Sequence, residues 1–229
     1  MKFTPGLLAG SLSGAAGNTV ASHNRGGPYL RTRSIPTKST TDPAQNAKTY
    51  LSQASSAWQS LTLASRLSWA SWADSHPVTD RLGASRILTG HQAFVSILAR
   101  LARAGAAPLI EPPVTGPPSA LATLSLTYDV GAGDTQITFT DAPLAATQTL
   151  WLYGCVVSSP AINFIKNRER LFAVSTPAMG SPCPFSPPFE ARFGIPEVGQ
   201  VVHLRVHVFD TATGLLSQPL RTHSTVIST

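Results

Sequence analysis

The stretch "VVHLRVHVF", residues 201–209, decides how the larger part of this chain is read: Val202, Leu204, Val206 and Val208 recur at every second position, the period of a strand with one face on a core. His203 and His207 take the other face. Four residues along a strand span about 13 Å, so these two histidines cannot share a metal ion, and they are read as facing solvent or a partner. Working outward, the same period of two appears at Leu124, Leu126 and Tyr128, and again at Ile137 and Phe139 in "TQITFT". "TLWLYGCVV" (149–157) reads as a central strand and "RERLFAVS" (168–175) as another. "DTATG" (210–214) turns into "LLSQP", and "HSTVIS" (223–228) ends the series.

Seven or so short strands separated by turn signals predict a β-sandwich over residues 121–229. At the level of pattern it resembles the fibronectin type III or immunoglobulin-like class, which hosts many functions and implies none by itself. Upstream, "GAAPLIEPPVTGPPSA" (105–120) holds five prolines and no periodicity, so residues 106–120 read as a stiff extended linker that makes few contacts.

Before the linker the period changes to that of a helix. In "TTDPAQNAKTYLSQASSAWQSL", Thr41 or Asp42 can cap a helix and Pro43 fits its first turn, with Ala47, Leu51, Ala54, Trp58 and Leu61 on one stripe. A second helix follows a Thr62 cap, with Leu63, Leu67, Ala70 and Ala73 as its inward stripe, flanked by Trp69 and Trp72, and closes before Pro77. A third begins near Thr89 and Gly90, turns Phe94, Ile97, Leu98 and Leu101 inward, and stops at Gly105. Residues 42–105 thus form a small three-helix unit whose core is Trp58, Leu61, Trp69, Trp72 and Phe94. The fold class expected is α+β multidomain.

Residues 1–41 are Gly- and Arg-rich and read as an extended arm. Of the net charge of +6, residues 1–48 carry +5 and the rest of the chain +1. A basic arm binds an acidic protein face or nucleic acid. With Tyr29 as its only aromatic past residue 10, the protein-facing reading is preferred. Its candidate contact residues are Arg25, Tyr29, Arg31 and Arg33, because arginine forks onto carboxylates and carbonyls.

Charged residues make up only 12% of the chain, about half the usual share, which suits surfaces packed against copies or partners. Cys155 and Cys183 form no C-x-x-C unit and read as free thiols. The opening "MKFTPGLLAG" is interrupted at Pro5 and Gly6, so no secretion signal is assigned, and no run approaches the ~18 apolar residues that cross a bilayer. No nucleophile elbow, dinucleotide loop or phosphate loop occurs. Ser75, His76 and Asp80 lie close in sequence but lack the orienting geometry of a triad, and His76 reads as a helix-end residue. An enzyme is not expected, no cofactor or catalytic metal is implied, and neither a small-molecule substrate nor a membrane is an expected partner.

The elements Ser-Gly-x-x-Gly, Gly-x-Tyr-x-Arg-x-Arg (Gly27 to Arg33), Trp-x-x-Leu-Thr with a following Arg66 and Trp69, and Leu-Thr-Gly before an aromatic resemble a family of proteins encoded among the virion genes of tailed bacteriophages and prophages. They span residues 10–105, and the family's polar "NPxTxxQ" reads "TKSTTDPAQ" here. The resemblance implies a virion context, with other virion proteins and copies of the chain as partners, and supplies no activity. The function expected is a capsid decoration or minor head protein. A neck, tail or baseplate subunit is the near alternative. An adhesin-like module stacking sugar on Trp151 or Tyr153 is the rival from another class, and a nucleic-acid-binding packaging protein rests on the arm alone.

Overall fold

The computed structural model describes residues 12–25, 27–34, 41–79, 84–131, 135–140, 144–162, 164–165 and 167–228. Gly10, Ser11, Asp80, Gly83 and the turn residues 132–134 lie outside them. The class is α+β, with four helices and several antiparallel sheets. The chain divides into two units, Met1–Gln45 and Asn46–Thr229.

In the first unit, β1 (Gly14–Ala16), β2 (Thr19–Asn24) and β3 (Gly27–Thr32) form an antiparallel sheet in the order β1-β2-β3. The arm is therefore not a featureless extended leader. Two short connections fold it back on itself, pairing Ala16 with Thr19 and Asn24 with Gly27, so that its backbone groups find partners within the arm although its composition supplies no side-chain core. None of its strand residues is buried.

The second unit begins within α1 (Asp42–Ser60) and continues with α2 (Leu63–Ser75), the two-residue strands β4 (Val78–Thr79) and β5 (Ser85–Arg86), and α3 (Gly90–Ala104). The caps follow the sequence. The Thr62 hydroxyl accepts from Ser65 N, Thr89 and Gln92 form a reciprocal capping box, and Gly105 closes α3 in the left-handed region. The helices pack less evenly than a bundle. In α1 only Ala54 is buried, and Leu51 stays exposed. On α2 the inward stripe is Ser65, Trp69 and Ala73, not Leu63 and Leu67, which are 72% and 61% exposed. The indole of Trp69 sets that rotation, because it fills the space against Phe94 that two leucines would have shared.

The strands that follow are β6 (Leu124–Tyr128), β7 (Thr135–Phe139), β8 (Gln148–Val157), β9 (Arg170–Val174), β10 (Cys183–Pro184), β11 (Val201–Asp210), β12 (Leu215–Leu216) and β13 (Leu220–Thr225), with helix α4 (Ser186–Phe193) between β10 and β11. One sheet has the order β10-β7-β6. The other has β12-β11-β8-β9, with β13 also on β11. At its centre β8 and β11 pair over their whole length, from Val201 opposite Val157 to Asp210 opposite Gln148. Leu150, Leu152, Val202, Leu204, Val206 and Val208 pack against Leu126, Tyr128, Ile137 and Phe139 of the smaller sheet.

The opposite face of the larger sheet is also covered. Trp151 and Phe209 share one hydrophobic cluster with Phe94, Ile97, Leu98 and Leu101 of α3. Gly214, at φ +69°, brings the turn before β12 so close to α3 that a Cβ there would lie 2.6 Å from Ile97 Cγ2. Three layers result: helices, five-stranded sheet, three-stranded sheet. The 106–120 segment is extended but is not the contact-poor spacer expected from its prolines. It lies against α2, where Trp69 Nε1 donates to Ile110 O (2.8 Å), Trp72 Nε1 to Pro113 O (3.1 Å) and Ser65 Oγ to Glu111 (2.5 Å).

Helix α4 was not legible in "SPPFEARF". Its two prolines occupy the first turn, where their missing N–H groups cost nothing, and Phe189 is fully buried within a cluster with Phe172, Phe185 and Phe193. Burying such a ring is worth about 1.5–3 kcal/mol. Tyr128 donates to Glu190 Oε1 (3.0 Å) and fixes α4 to β6. Burial and that carboxylate push the phenol well above its ordinary pKa.

Candidate functional site

Three places carry polar chemistry. The first is a ladder on the helix-side face of the larger sheet. Strand pairing sets Tyr153, Arg205 and Arg221 abreast on β8, β11 and β13, and Cys155, His203 and His223 abreast beside them. Glu169, just before β9, is 8% exposed and lies between the two guanidinium groups, 2.7 Å from Arg205 Nε and 3.4 Å from Arg221 Nε. Arg205 also stacks 4.2 Å from the centroid of the Tyr153 ring.

Arg205 Nη1 lies 3.1 Å from His207 Nε2, and His207 Nδ1 lies 2.9 Å from Ser217 O. A guanidinium only donates and a carbonyl only accepts, so His207 is the neutral tautomer protonated on Nδ1. Burial lowers its pKa, and Arg205 and Arg100 lower it further, against the raising effects of the Ser217 bond and Glu169. His203 and His223 stack with centroids 5.3 Å apart. Burial first, and then His223, hold His203 below its ordinary value, with Glu169 acting in the opposite sense.

Cys155 faces His203 across the strands, yet the pair is not an activated dyad. Burial, with Glu169 next, pushes the thiol up, whereas a nucleophilic cysteine needs it lowered. Both cysteines are free and buried. Among the described residues no group of three or more His, Cys, Asp or Glu side chains is placed to hold a metal ion.

The second place is a groove of about 300 Å³ between α2, α3 and β12. Trp72, Leu88, Ile97, Leu215 and Leu216 give it apolar walls, and Arg100 and Ser96, one turn apart on α3, give it polar ones. His76, the C-cap of α2, stacks on Trp72 at 4.2 Å with its Nδ1 2.8 Å from Trp72 O. Arg100 is half-buried, desolvation lowers its pKa, and among the described residues no carboxylate pairs with it.

The third place is the N-terminal sheet. Tyr29 and Arg31 alternate on β3, and Arg33, whose N–H donates to Asn18 O (2.7 Å), continues that pairing by one residue. The three side chains therefore share one face. Arg25 sits apart, in the connection between β2 and β3. The arginines are exposed and Tyr29 is half-buried.

The residues expected to form the helical core divide into two groups. Trp69 and Phe94 are fully enclosed, with ring centroids 5.2 Å apart, whereas Trp58, Leu61 and Trp72 are half-buried against the same cluster. Sequence reasoning missed Glu169, Arg221 and Arg100, which come from a loop, a strand and a helix, and it singled out Tyr153 only as a sugar-stacking candidate. The one local signal was Arg205, a cation between two histidines on the polar face of β11. Comparison with known proteins finds no family model that matches the chain and no curated protein that matches it.

Proposed function

We propose that this chain is a non-enzymatic structural subunit of a tailed-bacteriophage virion, a capsid decoration or minor head protein, whose N-terminal sheet docks on neighbouring virion proteins. One observation carries the reading: the 14–32 sheet has three strands and no buried residue, with the exposed cations Arg31 on β3 and Arg33 just beyond it. A three-stranded sheet needs an apolar face or a packed neighbour to be stable, so this one is completed by an interface. The elements resembling phage virion proteins supply the context. Assembly then takes place in the bacterial host cytoplasm and the protein resides in the virion. Among the described residues no helix is long and apolar enough to cross a membrane.

The facing antiparallel sheets are consistent with a relative of the fibronectin III or Ig-like sandwiches that carries a helical layer on one face. A neck, tail or baseplate subunit would use the same N-terminal interface. The carbohydrate-binding reading loses its platform, because Trp151 is 3% exposed beneath the helices and Tyr153 is covered by Arg205.

Deleting residues 1–34 tests the proposal. The truncated chain should keep its far-ultraviolet spectrum and fail to enter particles when supplied with the other virion proteins. Incorporation at full occupancy, or cross-linking of the N-terminal unit to packaged DNA in place of protein, would overturn it.

A further inference from the structure

The α2–α3–β12 groove has a chemistry that neither the fold nor the N-terminal interface uses. Arg100 is the cation of a groove whose walls are mostly apolar. Desolvating a guanidinium is costly unless a counter-charge meets it. The described residues provide none. His207, held neutral, gives it no counter-charge either. Around it the walls are Trp72, Leu88, Ile97 and Leu216, with room for about one large side chain.

We infer that this groove is a docking site for a partner-protein segment that presents an aspartate or glutamate beside a large apolar side chain, the carboxylate meeting Arg100 and the apolar group filling the space against Trp72. Ser96, one turn before Arg100, offers the carboxylate a second donor. A peptide fits better than a free small acid, because β12 stands at the edge of its sheet and, among the described residues, pairs only with β11. An extended segment can therefore run beside it. This inference rests on the groove alone and is independent of the N-terminal interface.

The test uses the full chain and an acetylated, amidated pentapeptide of sequence GLEFG, followed by calorimetry and tryptophan fluorescence. Saturable binding is expected, weakened about tenfold or more when the peptide glutamate becomes glutamine, a comparison that needs no protein variant. Arg100→Met should abolish the difference between the two peptides. Asp80 lies outside the described residues, and Asp80→Asn should leave peptide affinity unchanged. Equal binding of both peptides, no binding at millimolar concentration, tighter binding by D80N, or binding of 4-phenylbutyrate as tight as the peptide would each overturn the inference.

Discussion

Arg205 reaches Glu169 across the larger sheet at 2.7 Å, and the carboxylate it meets is nearly sealed from solvent. One buried anion thus pairs with two guanidinium groups from adjacent strands, Arg205 of β11 and Arg221 of β13. The ladder joins β9, β11 and β13 by charge as well as by backbone.

Replacing Glu169 by Gln leaves the half-buried Arg205 without its counter-charge. The loss should be about 2–3 kcal/mol of unfolding free energy, below the ~3–5 kcal/mol of a fully buried pair because Arg221 stays half in solvent. Urea denaturation reads it directly. A change under about 0.5 kcal/mol, the size typical of an exposed pair, would show that Glu169 is solvated.

Acid should weaken the fold through His203 and His207. Both are held below the ordinary value of 6.5 in the folded chain, so the unfolded state takes up protons first and stability falls as pH drops through 6.5 toward the folded values. Above 6.5 this contribution is fully present. His207→Gln can keep both hydrogen bonds without titrating, so it should match the parent at pH 7.5 and lose less urea resistance at pH 5.5. Identical acid slopes for the two proteins would exclude His207 as a source.

Gly90 starts α3 where that helix crosses α2, and a Cβ there would lie 2.8 Å from Ala70 N. Backbone cannot yield as a side-chain tip can. Gly90→Ala should therefore cost about 1–3 kcal/mol through overpacking, despite the better helix propensity of alanine. A thermal melt at or above the parent midpoint would contradict the close approach.

Much of this architecture is legible locally. The alternation at 202, 204, 206 and 208 locates β11, and Thr62, Thr89 and Gly105 mark helix ends, because caps and strand period are properties of short windows. What covers a surface is not. The run "TLWLYGCVV" signals burial on both faces, yet nothing near Trp151 in sequence says that α3 covers it. The N-terminal strands escaped notice because glycine, alanine and asparagine are poor strand formers, and pairing there is set by two tight connections. Helix α4 hid behind Pro187 and Pro188. The ladder is assembled from residues 153, 169, 205 and 221, which only the strand order brings together.

Because Trp151 and Phe209 are sealed by α3, residues 106–229 expressed without the helices should expose both rings. That fragment is expected to bind a hydrophobic dye, aggregate and lack a cooperative melt, whereas residues 46–229 should melt as one unit. A cooperative transition of the shorter fragment at the parent temperature would separate the sandwich from the helices energetically and contradict the three-layer core.

The central claim is that the N-terminal sheet lacks a core until a neighbour supplies one. Amide hydrogen exchange at residues 14–32, measured in the isolated chain and in assembled particles, tests it most directly. The account predicts exchange close to that of an unfolded peptide in the isolated chain and protection of about a hundredfold or more in the particle. Equal protection in the two states would contradict it.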